Sequence, residues 1–480
     1  MHCNRYAGTR HLTRREWLGA TGYGVASAAL ASLLGGGPTA QAHHGLPLIP
    51  HFAPKAKRVI CLFMSGGMSQ LDSFDYKPVL KEREQQPLPA SVFNGRKPLG
   101  MSKLQANFPM QGSAFDFKQH GQSGAWLSDR FPHLAKQADR ICFLKGMVSE
   151  AVNHDPAIIY INSGDQLPGR PSMGSWISYG LGTENENLPA FIVLVTKKGA
   201  DQPLSSRLWD SGFLPSQHQA VPFRAGSEPV LYLNNPPGLP QSLHRKMLDH
   251  LREVQQDELA RRGEAEIEAR IEQYEMAFRM QTSVPGLVDV ASEKQQTLDL
   301  YGPDVRTPGS FAYNCVLARR MCESGVRFVQ LYHPGWDHHG LLKTAFAETS
   351  KEVDQPAAAL LHDLSERGLL KDTLVMFVSE FGRTPYSQGA LKEGGEYGRE
   401  HHRDAFTCWL AGAGVKTGIT HGATDDFGFD VVEGKVTVND FHATFMHLMG
   451  IQHDRFVYPF QGRDFRLTDV AGKLVKEILA

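Results

Sequence analysis

The chain has 480 residues, 41% of them apolar, 21% charged and 9% aromatic, which excludes a disordered tail, a collagen or a helical membrane bundle. Lys and Arg number 50 against 51 Asp and Glu, so no net field draws the molecule to nucleic acid or to an anionic membrane. Histidine is out of proportion. Ten of the 21 lie between His333 and His453, where an even spread would put about five.

In chain order, the first feature is a targeting segment. Thr13-Arg14-Arg15-Glu16-Trp17-Leu18 precedes a Gly/Ala/Leu stretch and then Ala40-Gln41-Ala42. These are the basic, apolar and small-residue regions of a cleavable export signal, and the paired arginines point to the twin-arginine route. Gly19, Gly22 and Gly24 interrupt the apolar stretch and argue against a membrane span. The expectation is a signal over residues 1–42, handled by the twin-arginine export machinery. The mature chain, 43–480, is then periplasmic or secreted and keeps no stable membrane anchor.

Arg58–Met64 is an apolar run ending in Ser65-Gly66-Gly67, which reads as a buried strand and a glycine turn. Further buried strands are expected at Ile141–Leu144, Ala190–Val195, Arg327–Tyr332, Thr373–Ser379 and Ala405–Leu410, with helices at Phe131–Ala138, Phe311–Ser324 and Val353–Arg367. Strands alternating with helices at this spacing predict an α/β fold, a mostly parallel sheet with helices on both faces. An insertion of loop and helix is expected over about 199–300. Its first part, Gly199 to Gln241, is rich in Pro, Gly and Ser, and Leu243 to Gln281 is a charged amphipathic hairpin broken near Gly263. The mature chain keeps Cys61, Cys142, Cys315, Cys322 and Cys408, an odd number without a CxxC pair, so neither a disulfide framework nor a zinc cage is expected.

In an open parallel sheet, ligands collect beyond the carboxyl ends of the strands. The polar residues in those places are Gly66 to Asp75, Asn153-His154-Asp155, His333 with Trp336-Asp337-His338-His339, Glu380 to Thr384, and Gly398 to Asp404. Each stretch supplies a carboxylate or an imidazole. Mixed Asp, Glu and His donors suit zinc, manganese or iron, and Mg²⁺ or Ca²⁺ where oxygens dominate. Asp337, Glu380 and His401 all fall where that rule places a site.

The run from Lys351 to Gly382, with Thr373 to Ser379 leading into Glu380-Phe381-Gly382, resembles the helix–strand unit of the alkaline-phosphatase/sulfatase superfamily. The likeness extends to one secreted bacterial branch, the domain of unknown function numbered fifteen-oh-one. It is carried by Ser65 to Asp75, Gly335 to His339, Glu380 to Pro385, Gly398 to His401, Gly422 to Asp425 and Gln461-Gly462-Arg463. The resemblance implies an alkaline-phosphatase-like core and a divalent metal (Zn, Mn, Ca or Mg) held by Asp337, His339, Glu380 and His401, with Asp72 as a further ligand. It also places Arg383 at an anionic oxygen of the substrate and His154 at the nucleophile position, as acid, base or nucleophile. Several residues depart from the pattern. Gln70 stands where the branch has His, Phe381 where the superfamily has a metal-binding His, and Glu380 and Glu400 where Asp is usual. The formylglycine signature is absent, and His154-Asp155-Pro156 occupies its place.

The function expected is an exported metal-dependent hydrolase of a phosphate or sulfate ester, acting on a small or glycan-borne anionic substrate and not on nucleic acid. The alternative is a non-catalytic exported binding protein on the same fold, and a structural role in the cell envelope comes third.

Overall fold

A computed structural model describes residues 45–196, 204–226, 228–389 and 396–480. The export signal expected over residues 1–42 lies outside the described residues, as does part of the loop expected after Gly199.

The core is a nine-stranded sheet built from β1 (Arg58–Met64), β2 (Ile141–Val148), β3 (Phe191–Val195), β4 (Val221–Phe223), β5 (Phe328–His333) and β6 (Thr373–Val378), and from three strands nearer the C-terminus. Between these two groups, β7 (Gly382–Ser387) and β8 (Arg399–His402) form a separate antiparallel ribbon. The later sheet strands are β9 (Phe406–Ala411), β10 (Ile419–His421) and β11 (Val436–Thr437). The order is β10-β2-β9-β6-β1-β5-β3-β4, with β11 also on β2. All pairings are parallel except those of β9, which runs antiparallel to both β2 and β6.

Central strands are largely apolar because both faces are covered, with Gln330 and His333 of β5 as buried polar exceptions. Along β1, Ile60, Leu62 and Met64 enter one apolar cluster, and Val59, Cys61 and Phe63 enter the other. The second face carries α1 (His154–Ser163) and α2 (Met173–Leu181), through Ile158 and Trp176. A helical hairpin follows, α3 (Gln241–Arg262) and α4 (Ala265–Val288), broken at Gly263 as expected. The first face carries α5 (Phe311–Glu323) and α6 (Leu342–Glu366), through Val316 and Leu360. Finally α7 (Val438–Leu448) returns to the second face, where a Thr437–Asp440 capping box starts it.

Three local expectations need correction. The helix expected over Phe131–Ala138 is a 3₁₀ segment at Leu134–Arg140. The helix expected from Val353 begins at Leu342 and runs through Pro356. The long loop contains the three-residue strand β4, too short to show a period. All five cysteines among the described residues are buried and unbridged, and burial pushes the Cys61 thiol well above its ordinary range. No helix among the described residues is long and apolar enough to cross a membrane.

Candidate metal centre

The chain beyond the carboxyl ends of β1, β5 and β6 gathers the chemistry, together with the start of α1 and the β7–β8 ribbon. His154 is the first residue of α1, after Asn153, whose extended backbone (φ −106°, ψ 145°) ends the incoming loop. Asp337 and His339 lie on the loop after β5, which Trp336 anchors. That indole is fully buried, and its Nε1–H donates to His333 Nδ1 at 3.0 Å. His401 lies on β8, directly across the ribbon from Arg383.

Two glycines let these segments approach. At Gly66 (φ +122°) a Cβ would come within 2.6 Å of Asp337 N, so the turn after β1 seats the Asp337 backbone with no room for a side chain. At Gly398 a Cβ would fall 2.0 Å from the His339 carbonyl carbon.

One ligand atom each from His154, Asp337, His339 and His401 lies within 4.8 Å of all the others. Asp337 Oδ1 is the focus, with Nε2 of His339 at 2.8 Å, of His154 at 3.2 Å and of His401 at 3.3 Å. His339 Nε2 and His401 Nε2 are 3.0 Å apart. A tetrahedral zinc with bonds of about 2.0–2.1 Å wants ligand atoms roughly 3.3 Å apart, which is close to this spacing.

The other edge of each imidazole decides what these nitrogens can do. His154 Nδ1 sits 2.7 Å from Glu380 Oε1, and His401 Nδ1 sits 2.7 Å from the Val152 carbonyl. His339 Nδ1 meets Gln388 Oε1. All three partners are acceptors, so each Nδ1 carries a proton and each Nε2 faces inward, where it can offer its lone pair to a cation or take up a second proton. Lone pairs facing one another at these distances repel unless a cation lies among them. His154 Nε2 is buried and, although near Asp337 Oδ1, makes no hydrogen bond of good direction. The donor set and this misdirected nitrogen fit a divalent ion.

The electrostatics agree. Burial works against charge on Asp337, but hydrogen bonds from the three histidines and the charge of Arg383 outweigh it and hold the carboxyl far below its usual range. Burial opposes charge on His154 as well. There the bond to Glu380 and the charges of Glu380 and Asp337 prevail and push its pKa up to about 9, so without a metal a proton takes the cation's place. Burial, joined by the charges of Arg383, His154 and His339, pushes His401 down.

The remaining expected residues occupy other places. Glu380 is fully buried behind His154, and its Oε1 also accepts the Gly66 N–H at 2.8 Å. Asp72 is fully buried away from the cluster and paired with Arg399 Nε at 2.8 Å. Arg383 is 1% exposed, and every guanidinium nitrogen is engaged. Nη2 bonds Asp337 Oδ1 at 2.6 Å and the Gly66 carbonyl, Nε bonds the Gly67 carbonyl at 2.7 Å, and Nη1 bonds the Arg399 carbonyl at 3.1 Å. It therefore steadies Asp337, and its burial holds the guanidinium back from the open side of the cluster. Glu400 accepts the backbone N–H groups of Met101, Ser102 and His401. Phe381 is fully buried under the rings of His154 and His401, with centroids 4.9 and 4.6 Å away. Val152 and Gln388 carry no sequence signal for their roles, one being a backbone carbonyl and the other an isolated amide.

A family model described as a protein of unknown function (DUF1501) matches residues 56–479. No curated protein matches the chain. Similar solved structures include the lipoteichoic acid synthase LtaP from Listeria monocytogenes, 10% identical over 83% of this chain and 73% of that one, TM-score 0.34. Another is the PsFucS1 sulfatase from Pseudoalteromonas sp., 13% identical over 84% and 68%, TM-score 0.33. A third is the C-terminal periplasmic domain of EcEptC from Escherichia coli, in complex with Zn, 7% identical over 85% of each chain, TM-score 0.34.

Proposed function

The chain belongs to the DUF1501 family, and from that premise we propose that it is an exported, metal-dependent hydrolase of a phosphate or sulfate ester. The observation that carries this reading is the convergence of three imidazole Nε2 atoms on one oxygen of Asp337, each ring held from behind by an acceptor. Three nitrogen donors and one oxygen suit zinc better than magnesium or calcium, which prefer oxygen. Such an ion, when bound, polarises an ester oxygen and makes a neighbouring water more acidic.

This chain's residues do the rest. His154, His339, His401 and Asp337 hold the ion. The His154 Nε2 lone pair serves a cation or a proton but not both, so with metal present we assign it as a ligand and not as the nucleophile. Arg383 fixes Asp337 and so acts on the substrate only indirectly. Phe381 closes the floor against water. Asp337 and His339, 22% and 24% exposed at their side chains, form the open side where an ester approaches. The resemblance of the strand-end motifs to the alkaline-phosphatase/sulfatase superfamily supports the choice of ester.

The test pairs metal analysis of protein purified without chelator or affinity metal with hydrolysis of aryl phosphates and aryl sulfates. About one divalent ion per chain is expected, with turnover of one ester class and loss of both metal and turnover in His401→Ala. Metal-free active protein would refute the centre. Metal-loaded protein inert to both ester classes would favour the non-catalytic binding protein.

A further inference from the structure

Resting on that metal reading, we propose that Glu380 is a positioning residue that acts through His154 and does not touch the ion. Its carboxylate is fully buried at the end of β6. A single oxygen, Oε1, receives both the His154 ring at 2.7 Å and the Gly66 N–H at 2.8 Å, while Ser379 Oγ lies 3.1 Å from Oε2. The imidazole stands between this carboxylate and the cluster. With the ring between them, an ion on Nε2 would be separated from Oε1 by the width of the imidazole, far beyond the roughly 2.0–2.2 Å of a carboxylate bond to zinc. Glu380 therefore cannot share the ion that His154 binds.

Its geometry gives it two tasks. It fixes the tautomer and the plane of the His154 ring, so that the Nε2 lone pair faces inward. It also ties that ring to the Gly66 turn, against which the Asp337 backbone is seated. One buried anion thereby sets the distance between two ligands that come from different elements. The other two rings rest on neutral oxygens, Val152 O and Gln388 Oε1. Only His154 has a carboxyl group behind it, the outer partner that fixes the orientation of a ligating imidazole. The carboxylate that a strand-end rule marks as a ligand is the support of one.

The experiment is a Co²⁺ and Zn²⁺ titration of the full mature chain, parent against Glu380→Gln and Glu380→Met, with the Co²⁺ visible spectrum and the melting temperature of the metal-free proteins recorded. Gln keeps an oxygen for both hydrogen bonds and removes only the charge, whereas Met removes both. The expected result is one ion per chain in all three, a Co²⁺ spectrum of unchanged coordination number, and affinity lower by about 10–100-fold in Glu380→Gln. A further loss is expected in Glu380→Met. The metal-free melting temperature of Glu380→Gln should stay near that of the parent, which separates positioning from a general structural role. Affinity within twofold of the parent in both variants would overturn the proposal. So would a Co²⁺ spectrum of changed coordination number in either variant, since that would make Glu380 a ligand. A parent chain that binds neither ion would instead overturn the metal reading itself.

Discussion

Asp72→Asn removes one charge from a pair that water does not reach. Asp72 and Arg399 are both fully buried, with Arg399 Nε 2.8 Å from Asp72 Oδ2, and Ser69 Oγ donates to the same oxygen at 2.5 Å. The rest of the guanidinium rests on the carbonyls of Thr384, Gln111 and Gly112, each at 3.1 Å. Removing one partner of a buried ion pair costs about 3–5 kcal/mol, because the remaining charge keeps its desolvation cost without its counter-charge. Those carbonyls and the oxygen of the new amide partly compensate, which sets the expected loss at the lower end, about 3 kcal/mol. That is a large share of the roughly 5–15 kcal/mol by which a folded protein is stable. The assay is equilibrium unfolding in urea, with metal content measured on the folded variant. A lower midpoint with one ion still bound is expected. A loss below about 1 kcal/mol would refute the electrostatic reasoning, and a stable fold without metal would make Asp72 a ligand.

Because His154 is raised to about 9 in the absence of metal, uptake of an ion at pH 8 should release close to one proton, measurable with a pH indicator in weak buffer, and affinity should climb with pH up to about 9. Uptake without proton release would remove His154 from the ligand set. The same raised value means that the metal-free fold binds more protons than the unfolded chain, so its stability should fall as pH rises from about 6.5 through 9. His442 behaves oppositely. Burial pushes it down to about 4, so the unfolded chain takes up a proton that the folded chain refuses. Stability should therefore drop by roughly 3 kcal/mol as pH falls from 6.5 to 4, and a flat urea midpoint across that range would count against it. Gly66→Ala puts a Cβ 2.6 Å from Asp337 N at a positive φ. It should cost at least about 1–3 kcal/mol and weaken metal binding, and unchanged metal affinity would show that this turn does not seat Asp337.

The sheet is legible in the sequence because its central strands are buried on both faces. Runs such as Leu374-Val375-Met376-Phe377-Val378 admit no polar residue and cannot be mistaken for a surface. The ribbon is illegible for the opposite reason. Gly382-Arg383-Thr384-Pro385-Tyr386-Ser387 has no apolar period, since Arg383 is buried among polar partners far away in sequence, the Gly67 carbonyl and Asp337. Strand-end reasoning finds the neighbourhood of the site, bringing Asp337, His339, His401 and His154 into view. It does not say which groups face inward. Whether Glu380 binds an ion or stands behind His154 depends on a contact 226 residues away in sequence, and Asp72 is claimed by Arg399 across 327. No local pattern encodes such pairings.

The ligands come from stretches of chain far apart in sequence, with His339 and His401 separated by 62 residues and His154 lying well before both. An ion held by all of them is a removable cross-link that joins the start of a helix, a strand-end loop and a two-stranded ribbon. Closing such long loops restricts the unfolded chain much as a disulfide does, and the effect grows only slowly with loop length. The sheet has its own apolar clusters and does not depend on that link, whereas the ribbon lies outside the sheet, with Arg383 tied to the turn after β1 by polar contacts and Tyr386 packed in a small separate cluster. Chelation should therefore act unevenly along the chain. Limited proteolysis in the presence of a chelator should first cut within residues 382–389 and 396–402, leaving the nine strands protected until much later.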